Sequence, residues 1–256
     1  CRLSGAAFRI YPHKNVSQLE SLLQRSSMYR RKLVVTDSVF SMDGDTAPLP
    51  EIVNIAKRYD AILMVDDAHA TGVFGKQGKG MIEHCGLEGK IDIVMGSLSK
   101  AVGSIGGFIA GSKPLIDFLK NKARPFIYTT ALPPAVCAAS MAGLTLIQED
   151  VSLIDTLWKN IAFLKSRLST FMDTIAGESP IVPLIVGSAE DAVNLSTKLY
   201  QNGILIPAIR PPTVPPGTSR LRISLMATHS ADDINRLIDI LQYVGFLTRE
   251  HVKDVC

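Results

Sequence analysis

The chain has 256 residues, of which 46% are hydrophobic and 20% are charged, and its formal net charge is +3. This length suffices for one large or two modest globular domains. The small net charge argues against an extended nucleic-acid surface, and no apolar run approaches the roughly 18 residues that a membrane helix needs. Four scattered cysteines without a C-x-x-C pair are typical of free thiols in a reducing compartment. They predict a cytoplasmic protein, with an organellar location left open.

The first half of the chain predicts strands that alternate with helices. Ser17 and Glu20 fit a capping box at the start of the first helix. The strands then read "KLVVTD", "AILMV", "IDIVMG" and "GGFIAG", with a helix over "LPEIVNIAKRY" after the first of them. This alternation predicts an α/β fold with a mostly parallel sheet and helices on both faces. In such sheets, ligands bind outside the carboxyl ends of the strands.

A second, smaller α/β domain is predicted from residue 146 onward. The periodicity around this point indicates two long helices, over residues 133–150 and 152–172. The rest of the chain predicts the strand "IVPLIVG", the helix "EDAVNLSTKLYQNG", the strand "ILIPAI", a proline-rich loop, the strand "RLRISL" and a helix from Ser230. Residues 1–145 and 146–256 are therefore predicted to form separate domains.

The stretch "AILMVDDAHATG" (residues 61–72) ends a predicted buried strand with Asp66, Asp67 and His69. Taken alone, the aspartates are typical of a turn cap and the histidine of an ordinary loop residue. A Walker-B acid of a nucleotide hydrolase is excluded because no G-x-x-x-x-G-K-[ST] phosphate loop accompanies it. A calcium loop over "DGDTAPLPEIVN" is excluded because its twelfth position is Asn54 rather than an acidic residue, and no metal site is predicted.

Lys100 follows another predicted strand, in the small-residue loop "GSLSKAVGSIGG". A lone lysine there is typical of a solvated surface, but small neighbours leave room for a planar ligand, and their hydroxyl and N–H groups can hold a phosphate. A lysine, a strand-end aspartate and a histidine at one sheet edge match the needs of pyridoxal 5′-phosphate. The lysine bonds to its aldehyde, the carboxylate keeps its ring nitrogen protonated, and the histidine hydrogen-bonds its phenolic oxygen.

Five segments resemble the α-oxoamine synthase family, the fold-type-I pyridoxal-phosphate enzymes within the class-II aminotransferases. They occur in the family's order and span nearly the whole chain: "DSVFSMDGDTAPL" (37–49), "MVDDAHATGVFGKQGKG" (64–80), "GSLSKAVGSIGG" (96–107), "FIYTTALPP" (126–134) and "AIRPPTVPPGTSRLRISL" (208–225). The resemblance implies a large cofactor-binding domain, of which residues 1–145 would be the remainder, and a small C-terminal domain over residues 146–256.

The resemblance assigns catalytic roles to three matching positions. Lys100 would bond to the cofactor and move the proton at the substrate α-carbon. Asp66 would face the pyridine nitrogen, and His69 would face the phenolic oxygen.

The resemblance also assigns binding roles. Ser41 would lie near the cofactor, and Ser97 would bind its phosphate. Thr130, or its neighbour Thr129, would reach the phosphate of a partner subunit, which implies a homodimer with shared active sites. Arg222 would bind the carboxylate of the amino-acid substrate, although alone it is typical of a strand-edge surface arginine.

The segment "IRPPTVPPGTSRLR" (209–222) is most similar to the family members that act in biotin biosynthesis. These acyltransferases condense L-alanine with pimeloyl-CoA, or with its carrier-protein equivalent, and release CoA and CO₂. A glycine C-acetyltransferase-like enzyme stays open as an alternative. Because the family's N-terminal phosphate loop and ring-stacking histidine have no counterpart here, we expect the C-terminal part of a longer enzyme, or a shortened and non-catalytic paralogue that acts as a binding partner.

Overall fold

The computed structural model describes residues 2–173 and 175–247. The chain forms two compact units, and the second of them is discontinuous in sequence. The first unit contains residues 2–38 and 47–149, and the second contains residues 39–46 and 150–247. The chain thus enters the second unit early, returns to the first, and enters the second again after Glu149.

The first unit is built on a mixed, mostly parallel sheet. Its strands are β1 (Leu33–Asp37), β2 (Ile62–Asp66), β3 (Ile93–Ser97) and β4 (Gly107–Gly111), in the spatial order β1-β2-β3-β4. The first three are parallel, whereas β4 is antiparallel to β3. This confirms the predicted α/β class and the predicted predominance of parallel pairing.

The helices of the first unit lie before, between and after these strands. After a short 3₁₀ turn (Arg2–Ser4) they are α1 (Val16–Gln24), α2 (Leu49–Arg58), α3 (Met81–His84), α4 (Lys113–Lys122), α5 (Arg124–Ile127) and α6 (Pro134–Glu149). Helix α2 packs against β2 and buries Ile52, Ile55 and Ala56, which lie on one helical face. Leu63 and Val65 of β2 are buried as well. This apolar contact fixes the strand that carries Asp66.

The predicted cap of the first helix is wrong. Helix α1 begins at Val16, and its N-cap is Asn15, whose Oδ1 accepts hydrogen bonds from Gln18 N at 2.9 Å and from Ser17 Oγ at 2.8 Å. Asparagine is a strong N-cap residue, and here it also engages the serine hydroxyl that the predicted capping box required. Ser17 therefore lies within the first turn.

The second unit is built on a three-stranded antiparallel sheet. Its strands are β5 (Ile181–Gly187), β6 (Ala208–Ile209) and β7 (Ser219–Ser224), in the order β5-β7-β6, and its helices are α7 (Ser152–Leu168), α8 (Ala189–Gln201) and α9 (Ala231–Tyr243). Helices α7 and α9 pack together through buried residues such as Leu164 and Leu241. The predicted strand "ILIPAI" is reduced to two residues because Pro207 has no N–H for a ladder bond.

Residues 39–46, hereafter the inserted segment, form a tight hairpin that belongs to the second unit. The hairpin closes through Phe40 N, which donates to Asp45 O at 2.9 Å, and it is tied to the unit by the Glu178 carboxylate, which accepts from Thr46 N at 2.9 Å. Gly44 has a φ of +67°, and a Cβ there would lie 2.1 Å from Ile181 O. The close approach therefore requires a glycine at position 44.

None of the helices in the described parts of the chain is both long and apolar enough to cross a membrane.

Candidate active site

Polar residues end three neighbouring strands of the first unit. The parallel strands β1, β2 and β3 end at Asp37, Asp66 and Ser97. Asp37 and Asp66 are paired in register, and both fall on the less buried face of their strands. Because in-register residues of adjacent strands share a face, the two carboxylates lie side by side at the carboxyl edge of the sheet.

The Lys100 side chain contributes to the electrostatics of this edge. Burial, and secondarily the charge of Asp66, raise the pKa of Asp37, while the Lys100 charge lowers it. The amine is thus near enough to the Asp37 carboxylate to interact with it. Sequence reasoning missed Asp37, although its position as the last residue of a strand beside β2 matches that of Asp66.

The backbone around Asp66 holds its carboxylate in place. Asp66 Oδ1 accepts a hydrogen bond from Ala68 N at 2.9 Å, and the Asp66 carbonyl accepts one from Ser38 N at 2.8 Å. His69 is half-buried in the turn that follows β2, three residues beyond Asp66. The strand end and the turn therefore present both predicted residues from one short piece of chain.

Asp67 has a structural role next to these residues. It is 1% exposed, and its carboxylate accepts a hydrogen bond from Met81 N, the first residue of α3, at 3.2 Å. A Cβ at Gly80 would lie 1.7 Å from Asp67 Oδ2. The turn from β2 to α3 is therefore packed around this carboxylate.

The buried carboxylate of Asp67 should make stability depend on pH. Burial raises its pKa to about 6, against 3.8 for the exposed group, although the nearby Ser38 hydroxyl and the Met81 N–H oppose the shift. The folded state then binds this proton more tightly than the unfolded state, so the stabilisation is fully present below pH ~4 and is lost as the pH rises through about 6. Asp67→Asn keeps an acceptor for Met81 N but cannot ionise.

We therefore expect the free energy of unfolding of the Asp67→Asn variant to improve relative to the wild type between pH 4 and pH 7, by up to about 3 kcal/mol. Urea denaturation at pH 4, 5.5 and 7 measures the difference. A difference that is constant across these pH values would contradict the prediction.

The loop that carries Lys100 is anchored at both of its ends. Leu98 N donates to Gly106 O at 2.9 Å and Ser104 N donates to Leu98 O at 2.8 Å, which closes the loop between the antiparallel strands β3 and β4. The Ser97 and Ser99 hydroxyls are 2.8 Å apart. The Lys100 side chain is exposed, and no hydrogen bond or ion pair joins it to another residue of the described chain.

Packing against α6 fixes the rear of this loop. A Cβ at Gly143 would lie 2.4 Å from Val102 O, and the Ser140 hydroxyl donates to the Ser104 hydroxyl at 2.8 Å. Gly103 has a φ of +71°, and a Cβ there would meet no atom within 4 Å. The side of the loop that faces α6 is therefore tightly packed, whereas Gly103 is exposed and has no close neighbour at its Cβ position.

The remaining predicted residues lie elsewhere. Thr129 and Thr130 are exposed in the segment between α5 and α6 of the first unit. Ser41 and Arg222 both lie in the second unit, where Arg222 Nε donates to the Ser41 carbonyl at 2.5 Å. The structure thus brings Asp66, Ser97 and Lys100 to one edge, and it joins Ser41 to Arg222 in the other unit.

Comparisons with known proteins identify the family and the fold. The model of the family "Aminotransferase class I and II" matches residues 1–241. Over 242 residues the chain is 44% identical to 8-amino-7-oxononanoate synthase 1 of Bacillus subtilis. The aligned region covers 94% of this chain and 62% of that protein. The chain therefore spans about three fifths of the length of this curated relative.

Two solved structures have the same fold. One is a serine palmitoyltransferase variant from S. paucimobilis with a bound pyridoxal phosphate–myriocin aldimine, at 35% identity and a TM-score of 0.87, covering 91% of this chain and 59% of that one. The other is the 8-amino-7-oxononanoate synthase of Francisella tularensis, at 30% identity and a TM-score of 0.80, covering 96% of this chain and 71% of that one. The fold is therefore that of fold-type-I pyridoxal-phosphate enzymes. From the extent of the family match, the chain belongs to the aminotransferase class I and II family.

Proposed function

We propose that the protein containing this chain is a pyridoxal-phosphate-dependent acyltransferase that condenses L-alanine with pimeloyl-CoA, or with a pimeloyl carrier protein. The products would be 8-amino-7-oxononanoate, CoA and CO₂, in biotin biosynthesis. The observation that carries the proposal is the Lys100 amine near the Asp37 carboxylate, which is paired in register with Asp66 at the ends of neighbouring strands, in a chain similar to the 8-amino-7-oxononanoate synthases.

The residues at the strand ends fit the proposed cofactor. Lys100 supplies an exposed amine without an ion-pair partner in the described chain, and a Cβ at the nearby exposed Gly103 would meet no atom within 4 Å. One of the Ser97 and Ser99 hydroxyls donates to the other, which leaves the second O–H as a donor for a phosphate. When bound, the cofactor supplies an aldehyde for covalent attachment and a ring that withdraws electrons from the substrate α-carbon.

Three residues would then do the chemistry. Asp66 would keep a proton on the ring nitrogen, since a carboxylate next to a basic nitrogen favours its charged form. His69 would donate a hydrogen bond to the phenolic oxygen. The Lys100 amine would take the proton from the substrate α-carbon and later return one, the general acid–base role that a positioned lysine can fill.

Arg222 is suited to hold the carboxylate of the amino acid. It is half-buried, and burial lowers the pKa of its guanidinium, which indicates a cation that has lost part of its hydration. Within the described chain, its side chain forms one hydrogen bond, to the Ser41 carbonyl. A substrate carboxylate would therefore supply the missing anion, in the bidentate geometry that a guanidinium favours.

We also propose that the protein is a homodimer in which Thr130 reaches the cofactor phosphate of the partner subunit. The large apolar exposure around this segment supports the proposal: Tyr128 is 78% exposed and Met141 of α6 is 69% exposed. Light scattering should give twice the chain mass for the wild type and a lower mass for the double variant Tyr128→Asp, Met141→Asp. If the wild type and the double variant both have the mass of a single chain, the dimer is excluded.

Two further proposals come from the sequence. We propose that the large domain covers residues 1–145 and the small domain residues 146–256, a division by sequence that differs from the two compact units, because residues 39–46 belong to the second unit and its main part begins at Asp150. We also propose a cytoplasmic location, which the scattered cysteines support. Limited proteolysis with mass mapping tests the domain boundary, and cell fractionation tests the location.

A product assay on the protein that contains this chain tests the function. We expect mass spectrometry to detect 8-amino-7-oxononanoate from L-alanine and pimeloyl-CoA, with much less product from glycine and acetyl-CoA or from serine and palmitoyl-CoA. Turnover that favours glycine with acetyl-CoA would support the glycine C-acetyltransferase alternative. A protein that binds no cofactor at Lys100 and turns over none of the three pairs would be the non-catalytic paralogue.

A further inference from the structure

Two arginines of β7 hold the inserted segment. Arg220 and Arg222 are two residues apart on one strand, so their side chains leave the same face of the sheet. Arg222 Nε donates to the Ser41 carbonyl at 2.5 Å. Arg220 Nη1 donates to the Met42 carbonyl at 3.2 Å and to Asp43 Oδ1 at 2.5 Å.

The two arginines differ in how their charges are balanced. The Arg220 side chain is 6% exposed and forms an ion pair with Asp43, whose side chain is 49% exposed. Its Nε donates to the Thr218 carbonyl at 3.0 Å, which fixes the guanidinium plane. Arg222 has no ion pair in the described chain. Arg220 is therefore neutralised inside the protein, whereas Arg222 is left for an external anion.

The bond to Ser41 determines which edge of the Arg222 guanidinium remains for a ligand. A guanidinium can grip a carboxylate through its two Nη atoms, or through Nε and one Nη. Because Nε is occupied by the Ser41 carbonyl, the Nη1–Nη2 edge is the one available for two parallel hydrogen bonds. The position of the Ser41 carbonyl thus sets the orientation of the Arg222 guanidinium.

We propose that Arg220 and Asp43 are positioning residues: their ion pair holds the Ser41–Asp43 part of the inserted segment on β7, and thereby orients Arg222 to bind the carboxylate of the amino-acid substrate. This inference rests on the proposed function, in which Arg222 is the carboxylate ligand. Arg220 itself touches no substrate.

The Arg220–Asp43 pair is separate from the contacts that keep the inserted segment in the fold. Glu178 accepts from Thr46 N at 2.9 Å and from Thr46 Oγ1 at 2.5 Å, and Glu178 N donates to the Gly44 carbonyl at 2.8 Å. These bonds hold residues 44–46 without Arg220. Removing the ion pair should therefore displace the Ser41 carbonyl while the hairpin stays attached.

The test compares two ligands that differ only in the carboxylate. In the cofactor-loaded protein that contains this chain, calorimetry gives the Kd of L-alanine and of L-alaninamide for each variant. We expect Arg220→Met and Asp43→Asn to raise the Kd of L-alanine about 5- to 10-fold and to leave that of L-alaninamide unchanged. A displaced Arg222 guanidinium weakens only the contact with the carboxylate. Arg220→Lys, which keeps a cation for Asp43, should restore part of the preference for L-alanine.

Arg236→Met is the matched control. It removes another guanidinium of the second unit, one that donates to the Asn202 carbonyl at 3.0 Å rather than to the inserted segment, and both Kd values should stay at the wild-type level. Should Arg220→Met fail to fold, Asp43→Asn carries the test alone, because its side chain is half-exposed.

The possible outcomes separate the two proposals. Arg222→Met should abolish the preference for L-alanine over L-alaninamide; if the preference survives, the proposed role of Arg222 is wrong. If Arg222→Met loses the preference but Arg220→Met and Asp43→Asn retain it, the positioning inference alone is overturned. Equal weakening of both ligands by Arg220→Met and Asp43→Asn would also overturn it, since that pattern reflects general damage to the site.

Discussion

Replacing Lys100 by alanine is expected to lower turnover by at least about 10⁴-fold, because a general acid–base group alone contributes 10²–10⁴ and this lysine also supplies the covalent attachment. The loop itself should keep its shape, since it is closed by backbone bonds at Leu98, Ser104 and Gly106 that the substitution does not touch. The loss would therefore reflect the missing amine.

Lys113→Ala is the control for this variant. Lys113 is an exposed lysine of the same unit whose Nζ pairs with Asp117 at 2.7 Å, four residues along α4, and its loss should leave turnover within about twofold. Borohydride reduction of the wild-type protein, followed by peptide mapping, should place the cofactor label on Lys100. A label on another lysine, or normal turnover in Lys100→Ala, would refute the assignment.

Asp66→Asn is expected to lower turnover by about 10²- to 10³-fold, the range found when one preorganised electrostatic contact is removed from an active site. The asparagine Oδ1 can still accept the hydrogen bond from Ala68 N, which is 2.9 Å long in the wild type. The substitution therefore removes the charge and leaves the turn intact. Steady-state kinetics, corrected for the cofactor content of each preparation, separate a loss of chemistry from a loss of cofactor.

Asp37→Asn is the matched comparison, because Asp37 is paired in register with Asp66 and lies on the same face of the sheet. If Asp66 faces the ring nitrogen, Asp66→Asn should be the more damaging of the two. A larger loss of turnover in Asp37→Asn would transfer the role to the carboxylate of β1.

The sequence was sufficient where local patterns set the structure. Short apolar runs predicted β1, β2, β3 and β5, and the polar residues after these runs placed Asp66 at a strand end and Lys100 in the loop that follows a strand. Ser230 and Asp233 form a capping box at the start of α9, where the sequence predicted a helix. These features depend on a few neighbouring residues, so a single sequence is enough to predict them.

The remaining features depend on residues that are distant along the chain. Asp37 was missed because its proximity to Asp66 arises from the register of β1 on β2. The bond between Arg222 and Ser41 joins positions 181 residues apart, and no local pattern predicts it. Competing local signals misled at Ser17, where Asn15 two residues earlier is the actual cap. The roles of the site residues toward a cofactor stay predictions.

The discontinuity of the second unit has a consequence for its synthesis. The inserted segment leaves the ribosome more than 130 residues before Glu178 and more than 170 residues before Arg220, the residues that bind it. The second unit is therefore incomplete until nearly all of the described chain has been made, a high contact order that slows folding. For the same reason, residues 150–247 expressed alone would expose the surface that the hairpin covers. A soluble form of this unit needs residues 39–46 fused to it.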